Sequence, residues 1–372
     1  MKKVFLIIYI FLTIFLSPVK ILADDSQTPQ DQYYKAQVIS VDKQGEKDVY
    51  GTKSYFQDIR LIFLDGPDQG KTINYENGGQ FSITKDQTVS PGETVIMSKT
   101  TGPDGKSIYF VVEKYRLDYL PYLLILFVFL IFIIAGKKGL GSLLGLVISL
   151  AVISMWIVPQ ILQNGDPLTT CIIGSLAILL VTTYLAHGIS RQTTIALLST
   201  FVSLMVTALL SIIVVHITKL TGLSNEDVYS LQFGSTKNIN TQGLLLGGII
   251  IGTLGALNDV TTTQAATIFE IFKDNPLIKF ENLYKKGLLI GREHIVSLVN
   301  TLVLAYAGAS LAVMIFFVLN PNKEPLWVIV NSEAIYDEIV RTVVGSMGLI
   351  LAIPLVTLLA TWYVTNRRNT VK

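Results

Sequence analysis

The sequence predicts a mainly α, polytopic helical membrane protein of about seven transmembrane helices, with a small β-barrel-like domain at its N-terminal end. Three observations predict it. Hydrophobic residues make up 51% of the 372 residues and charged residues only 15%, too few charges to cover a soluble chain of this length. Apolar runs near or above the roughly 18 residues that mark a membrane helix recur beyond residue 117. Between Tyr33 and Arg116 the pattern changes to short β-like runs divided by turn residues.

Taken in order, residues 1–23 read as a signal peptide. Lys2 and Lys3 precede the apolar run Val4 to Leu16, followed by Ser17-Pro18 and the small residue Ala23; retention as an anchor helix lengthened by Val19, Ile21 and Leu22 is the alternative to cleavage. Residues 24–32 are a polar linker. Residues 33–116 form the β-rich domain, with strands expected at Ala36–Val41, Asp58–Leu64, Lys71–Tyr75, Thr94–Ser98 and Ile108–Val112. About five short strands suit a closed barrel of the oligonucleotide/oligosaccharide-binding type, a fold that implies no ligand by itself. Eleven basic and eleven acidic residues balance in this domain, so it offers no basic stripe and no nucleic acid is expected as partner. Residues 117–366 hold the seven membrane segments, expected near 118–135, 139–158, 168–187, 193–217, 241–257, 295–318 and 341–364. Residues 367–372 are the tail.

Charge sets the expected orientation. Lys137, Lys138, Arg191, Lys273, Lys279, Lys285, Lys286 and Arg292 fall in one set of connections, and Lys219, Lys237 and Lys323 in the other. The positive-inside rule then puts the β-domain outside the cell membrane and the C-terminus in the cytoplasm. The formal charge of +2 points to no polyanionic partner. Cys171 is the one cysteine, so no internal disulfide forms, and no nucleotide or metal-ligand motif occurs; no cofactor or metal is expected.

The fifth segment organises the polar residues. In GLLLGGIIIGTLGALNDVTTTQAATIFE, residues 243–270, the 100° step of a helix puts Gly248, Gly252, Gly255 and Asp259 on one stripe. Gly243 with Gly247, and Gly248 with Gly252, have the spacing at which two helices pack closely in lipid. The stripe is therefore expected to be a helix-packing face leading to a carboxylate, with Glu270 further along the same side. The sixth segment, starting at Gly291, carries Arg292, Glu293 and Asn300. The seventh begins with Glu338 and Arg341, three residues apart and able to pair. Asp259, Glu270, Arg292 and Glu293 are expected to meet at the inner ends of segments five and six, with Asn300 on the way to Glu338 and Arg341.

Three stretches, GLLLGGIIIGTLGALNDV, GREHIVSLVNTLVLAYAGAS and EAIYDEIVRTVVGSMGLILAIPL, resemble the YibE/F-like multi-pass membrane proteins in content, order and spacing. Two departures stand out: the family usually has Arg-Asp where this chain has Arg292-Glu293, and small aliphatic residues where this chain has Thr261, Thr262 and Thr263. The resemblance implies a permease, without a substrate. The alternative is a non-transporting membrane scaffold whose outer domain recruits partners. An intramembrane enzyme built on Asp259 ranks last, because no nucleophile–base pair accompanies it. The expected partners are the lipid bilayer and either another membrane protein or a homo-oligomer.

Overall fold

A computed structural model describes residues 32–49, 52–79, 82–101, 107–224, 226–233, 239–319 and 323–370. The signal-like segment and the linker, up to residue 31, lie outside them. The chain forms two compact units, divided within an apolar helix at residue 130.

All five expected strands are present: β1 (Gln32–Val49), β2 (Thr52–Phe63), β3 (Thr72–Asn77), β4 (Thr94–Thr101) and β5 (Ser107–Lys114). Their antiparallel order is β3-β2-β1-β4-β5. Two register shifts in β1, between Val38 and Ser40 and between Val41 and Lys43, bend the strand, which pairs with β4 through Gln32–Gln37 and with β2 along Ala36–Val49. The sheet encloses Ala36, Val38, Ile59, Leu61, Phe63, Val89, Val95 and Met97. Buried Gln57 pins the segment before β4, accepting from the Val89 amide at 2.7 Å and donating to its carbonyl at 3.0 Å.

The expected closed barrel is a half-barrel. Among the described residues no ladder joins β3 to β5; β3 has only six residues and pairs through them with β2 alone. Side chains border the gap, with Tyr75 of β3 and Val111 of β5 both packed against the same core. At one edge Asp68 accepts from Lys99 at 2.6 Å and from the Tyr109 hydroxyl at 3.0 Å, and these two bonds hold its carboxyl below the usual carboxylate range.

Beyond the sheet come α1 (Leu120–Gly136) and six helices long and apolar enough to cross a membrane: α2 (Gly139–Leu162), α3 (Pro167–His187), α4 (Arg191–Thr218), α6 (Thr241–Asp274), α7 (Phe280–Ala309) and α10 (Glu333–Thr370). Short helices α5 (Glu226–Phe233), α8 (Leu311–Leu319) and α9 (Leu326–Asn331) connect them. Gly136, at φ 55°, separates α1 from α2. Within α2, Pro159 withholds the donor that Met155 would use, and the chain takes a π turn over Ile153–Ile157. Asp166, Ser190 and Asn240 cap α3, α4 and α6 by accepting from Thr169, Thr193 and Gly243.

Among the described residues, six of the seven expected segments are helices of membrane-crossing length and the first, α1, is a shorter apolar helix; the last three have different ends from those expected. Helix α6 runs 17 residues past Leu257, and α7 starts 15 residues before Ile295 and ends at Ala309, where Ser310 separates it from α8. Lys285, Lys286 and Arg292 lower the hydropathy of the first half of α7, which is helical because its Gly287 and Gly291 lie buried against α6 and α10. Helix α10 likewise starts at Glu333, whose carboxylate accepts from the Gly222 amide at 2.9 Å and from Thr221, tying α10 to the turn after α4.

The bundle is built around α6, which packs on α3, α4 and α10. Ile250, Leu254, Leu257 and Val260 of α6 share one core with residues of α2, α3, α4 and α10. Polar side chains cross between helices as well. Thr183 of α3 donates to Asn258 at 2.9 Å, Thr200 of α4 pairs with Thr261, and fully buried Gln264 donates to the Gly287 carbonyl at 2.8 Å and to Thr357 at 2.9 Å. Such bonds count in lipid because an unmet polar group has no water to turn to.

Candidate functional site

The α6 glycines divide into two sets. Gly243 and Gly247 are buried against α3: a Cβ on Gly247 would lie 2.5 Å from Cys171 Sγ, and one on Gly243 would lie 3.2 Å from Pro167 Cδ. These two do the close packing their spacing suggests. Gly248, Gly252 and Gly255 are exposed, as is Asp259. The stripe is thus an open face on one of the two most enclosed helices rather than a gripped one, because α7 turns its packing face toward α10. A Cβ on Gly255 would meet nothing within 4 Å, whereas one on Gly252 would meet the Tyr306 hydroxyl at 2.5 Å and one on Gly248 the Arg341 Nη2 at 4.0 Å.

Each end of that face carries polar groups. At the end where α3 begins, Arg341 pairs with Glu338 at 3.5 Å, as their spacing suggests. Beside them lie two residues that reading the sequence missed, Tyr306 and Asp337. The Tyr306 hydroxyl, Arg341 Nε and both Asp337 carboxylate oxygens are buried with no hydrogen-bond partner among the described residues. Asp337 is 1% exposed; Ser224 lies beside it but outside hydrogen-bond geometry. A signal for Asp337 existed, since it shares helical spacing with buried Val340 and Val344. Tyr306, Ser310, Glu338 and Thr342 also border a cavity of about 300 Å³, otherwise lined by apolar side chains of α7, α8 and α10.

At the other end, where α3 finishes, His187 lies within electrostatic reach of Asp259. Next to them a polar cavity of about 400 Å³ is lined by His187, Ser190, Gln192, Thr193, Thr262 and Thr263, among others. The three threonines where the family favours aliphatic residues thus split their roles: Thr261 bonds to α4, while Thr262 and Thr263 line the cavity.

The expected inner quartet does not assemble. Glu270 is eleven residues beyond Asp259, about 16 Å along the helix, and pairs with its neighbour Lys273 at 3.3 Å. Gly291 abuts Gln264 and Ile353, which turns Arg292 and Glu293 outward, where both are exposed. Asn300 is exposed on the side of α7 opposite Leu298 and Leu302, which pack on the core, so it does not lie between Asp259 and Arg341. Among the described residues no three His, Cys, Asp or Glu gather as metal ligands.

Residues 123–366, well over half the chain and nearly all of the helical bundle from α2 to α10, match the model of the YibE/F-like protein family. The chain belongs to that family. No curated protein and no solved structure matches it. The YibE/F-like match and the long apolar helices together make this a multi-pass membrane protein, with the lipid bilayer as its surroundings.

Proposed function

We propose that this YibE/F-like chain is a permease, and that its path follows the open face of α6 from the Glu338–Arg341 pair past Tyr306, Gly252 and Gly255 to Asp259 and His187. The observation that carries this reading is the stripe itself. Eleven residues from Gly248 to Asp259 give about 16 Å of helix, half the roughly 30 Å hydrocarbon thickness, floored by glycine and ending on polar groups at both ends. A carboxylate and an open, side-chain-free backbone at membrane depth are costly in lipid and useful in a water-lined path. The lysines and arginines of the connections favour the His187 end as cytoplasmic and the β-domain as extracytoplasmic. The chemistry at both ends binds and releases rather than makes bonds, so the chain is read as a transporter and not an enzyme.

Complementation of a deletion strain tests the reading. Asp259→Asn keeps the side-chain volume and removes the charge; it should fold at normal yield and fail to complement. Full complementation by a normally folded Asp259→Asn protein would place the function elsewhere, with the scaffold reading next in line.

A further inference from the structure

Helix α7 is the anomaly of the bundle. Only 6% of its apolar window is buried, against 56% for α6 and α10, and its buried residues are Leu283, Gly287 and Gly291. Ile295, Leu298 and Leu302 pack on the core; about 160° around the helix from the last two, Asn300 faces outward, with Glu293, Ser297 and Leu304 on the same exposed side. Asn300 lies seven residues, about 10 Å, along the helix from Glu293 and makes no hydrogen bond among the described residues. Facing hydrocarbon, its amide would leave two donors and one acceptor unmet, a loss of several kcal/mol.

We infer that this outward face of α7 is an interface with a second copy of the same chain, arranged around a two-fold axis along the membrane normal. The chemistry selects a second copy. In a parallel pair each position meets itself, so the Asn300 amides face each other, and an amide is self-complementary because it donates through N–H and accepts through C=O. Glu293 alone would repel its counterpart across the axis. Arg292 beside it removes that obstacle by pairing with the partner's Glu293, and its symmetry mate does the same. A lipid-facing or apolar-partner surface explains neither the amide nor the adjacent opposite charges. This inference is independent of the path along α6, which lies on another helix and a different face.

The test uses the full chain in native membranes with Cys171 replaced by Ser. Single cysteines are placed at Glu293, Ser297, Asn300 and Leu304, and as inward controls at Ile295, Leu298 and Leu302; size-exclusion profiles confirm folding. Mild oxidation should produce disulfide-linked dimers of this chain at the outward positions, strongest at Asn300, and none at the controls. Separately, with native Cys171 in place, Asn300→Leu should weaken dimerisation in lipid roughly five- to thirty-fold, the scale of an interhelical amide contact, while Asn300→Gln retains most of it. Absence of cross-links at all outward positions in folded protein overturns the inference. So do cross-links only to a different protein, or an Asn300→Leu chain that dimerises as well as the parent.

Discussion

The Tyr306 hydroxyl of α7 lies directly over Gly252 of α6, so close that a single Cβ at that glycine would come within 2.5 Å of it. The hydroxyl is buried and has no hydrogen-bond partner among the described residues. A glycine here makes room for a phenol rather than for another helix backbone. The oxygen it admits is available to whatever occupies the neighbouring space.

The two sets of glycines should respond oppositely to added bulk. Gly247→Leu drives a side chain into Cys171 and should cost about 1–3 kcal/mol, seen as lost folded yield and a lower melting temperature. Gly255→Leu meets open space and should leave both unchanged while reducing complementation. Equal losses of folded protein at the two positions would mean that the stripe is a packing face after all.

Asp337 should show stability and function in conflict. A buried carboxyl with neither oxygen bonded among the described residues is a burden on the fold, and replacing such a group with an apolar one of similar volume is often stabilising. Asp337→Leu is expected to melt higher than the parent and to lose complementation. A destabilised Asp337→Leu protein would show that the carboxyl has a structural partner.

The β-domain should weaken in acid through Asp68. The bonds from Lys99 and Tyr109 hold its carboxyl below the ordinary value of about 4. The unfolded chain therefore takes up the proton more readily than the folded one. The contribution is complete above that value and drains away as pH falls through the lower, folded one. Amide exchange in the full-length chain should show protection of β4 falling below about pH 4, and Asp68→Asn should have lower protection at neutral pH with a flatter acid limb. An acid response identical in parent and variant would remove Asp68 from the account.

Much of the architecture was legible because lipid imposes simple rules. Apolar length located α1 to α4 to within a few residues, and alternation with turn chemistry located all five strands. Lys285, Lys286 and Arg292 hid the first half of α7, since hydropathy scores charge and cannot see that Gly287 and Gly291 are buried on the opposite side. The stripe Gly248, Gly252, Gly255 and Asp259 was legible as a stripe, but its role was not. Small residues suit close packing and open space equally, and only the position of α7 decides between them. The quartet around Arg292 failed for a related reason: spacing places residues on a face without saying which way the face turns. Asp337 was passed over between Tyr336 and Glu338, in what reads as an interfacial charged cluster, although its spacing to Val340 and Val344 marks it as inward.

Aqueous access along α6 tests the central claim most directly. With Cys171 replaced by Ser, single cysteines at Gly248, Gly255 and Asp259 are exposed to a small, membrane-impermeant thiol reagent, beside controls at buried Leu245, Ile249 and Leu257. The account predicts labelling at the stripe positions and no labelling at the controls. A folded Gly255→Cys protein that resists the aqueous reagent yet reacts with a lipid-soluble one would show that the open face looks into the bilayer, and the path would not exist.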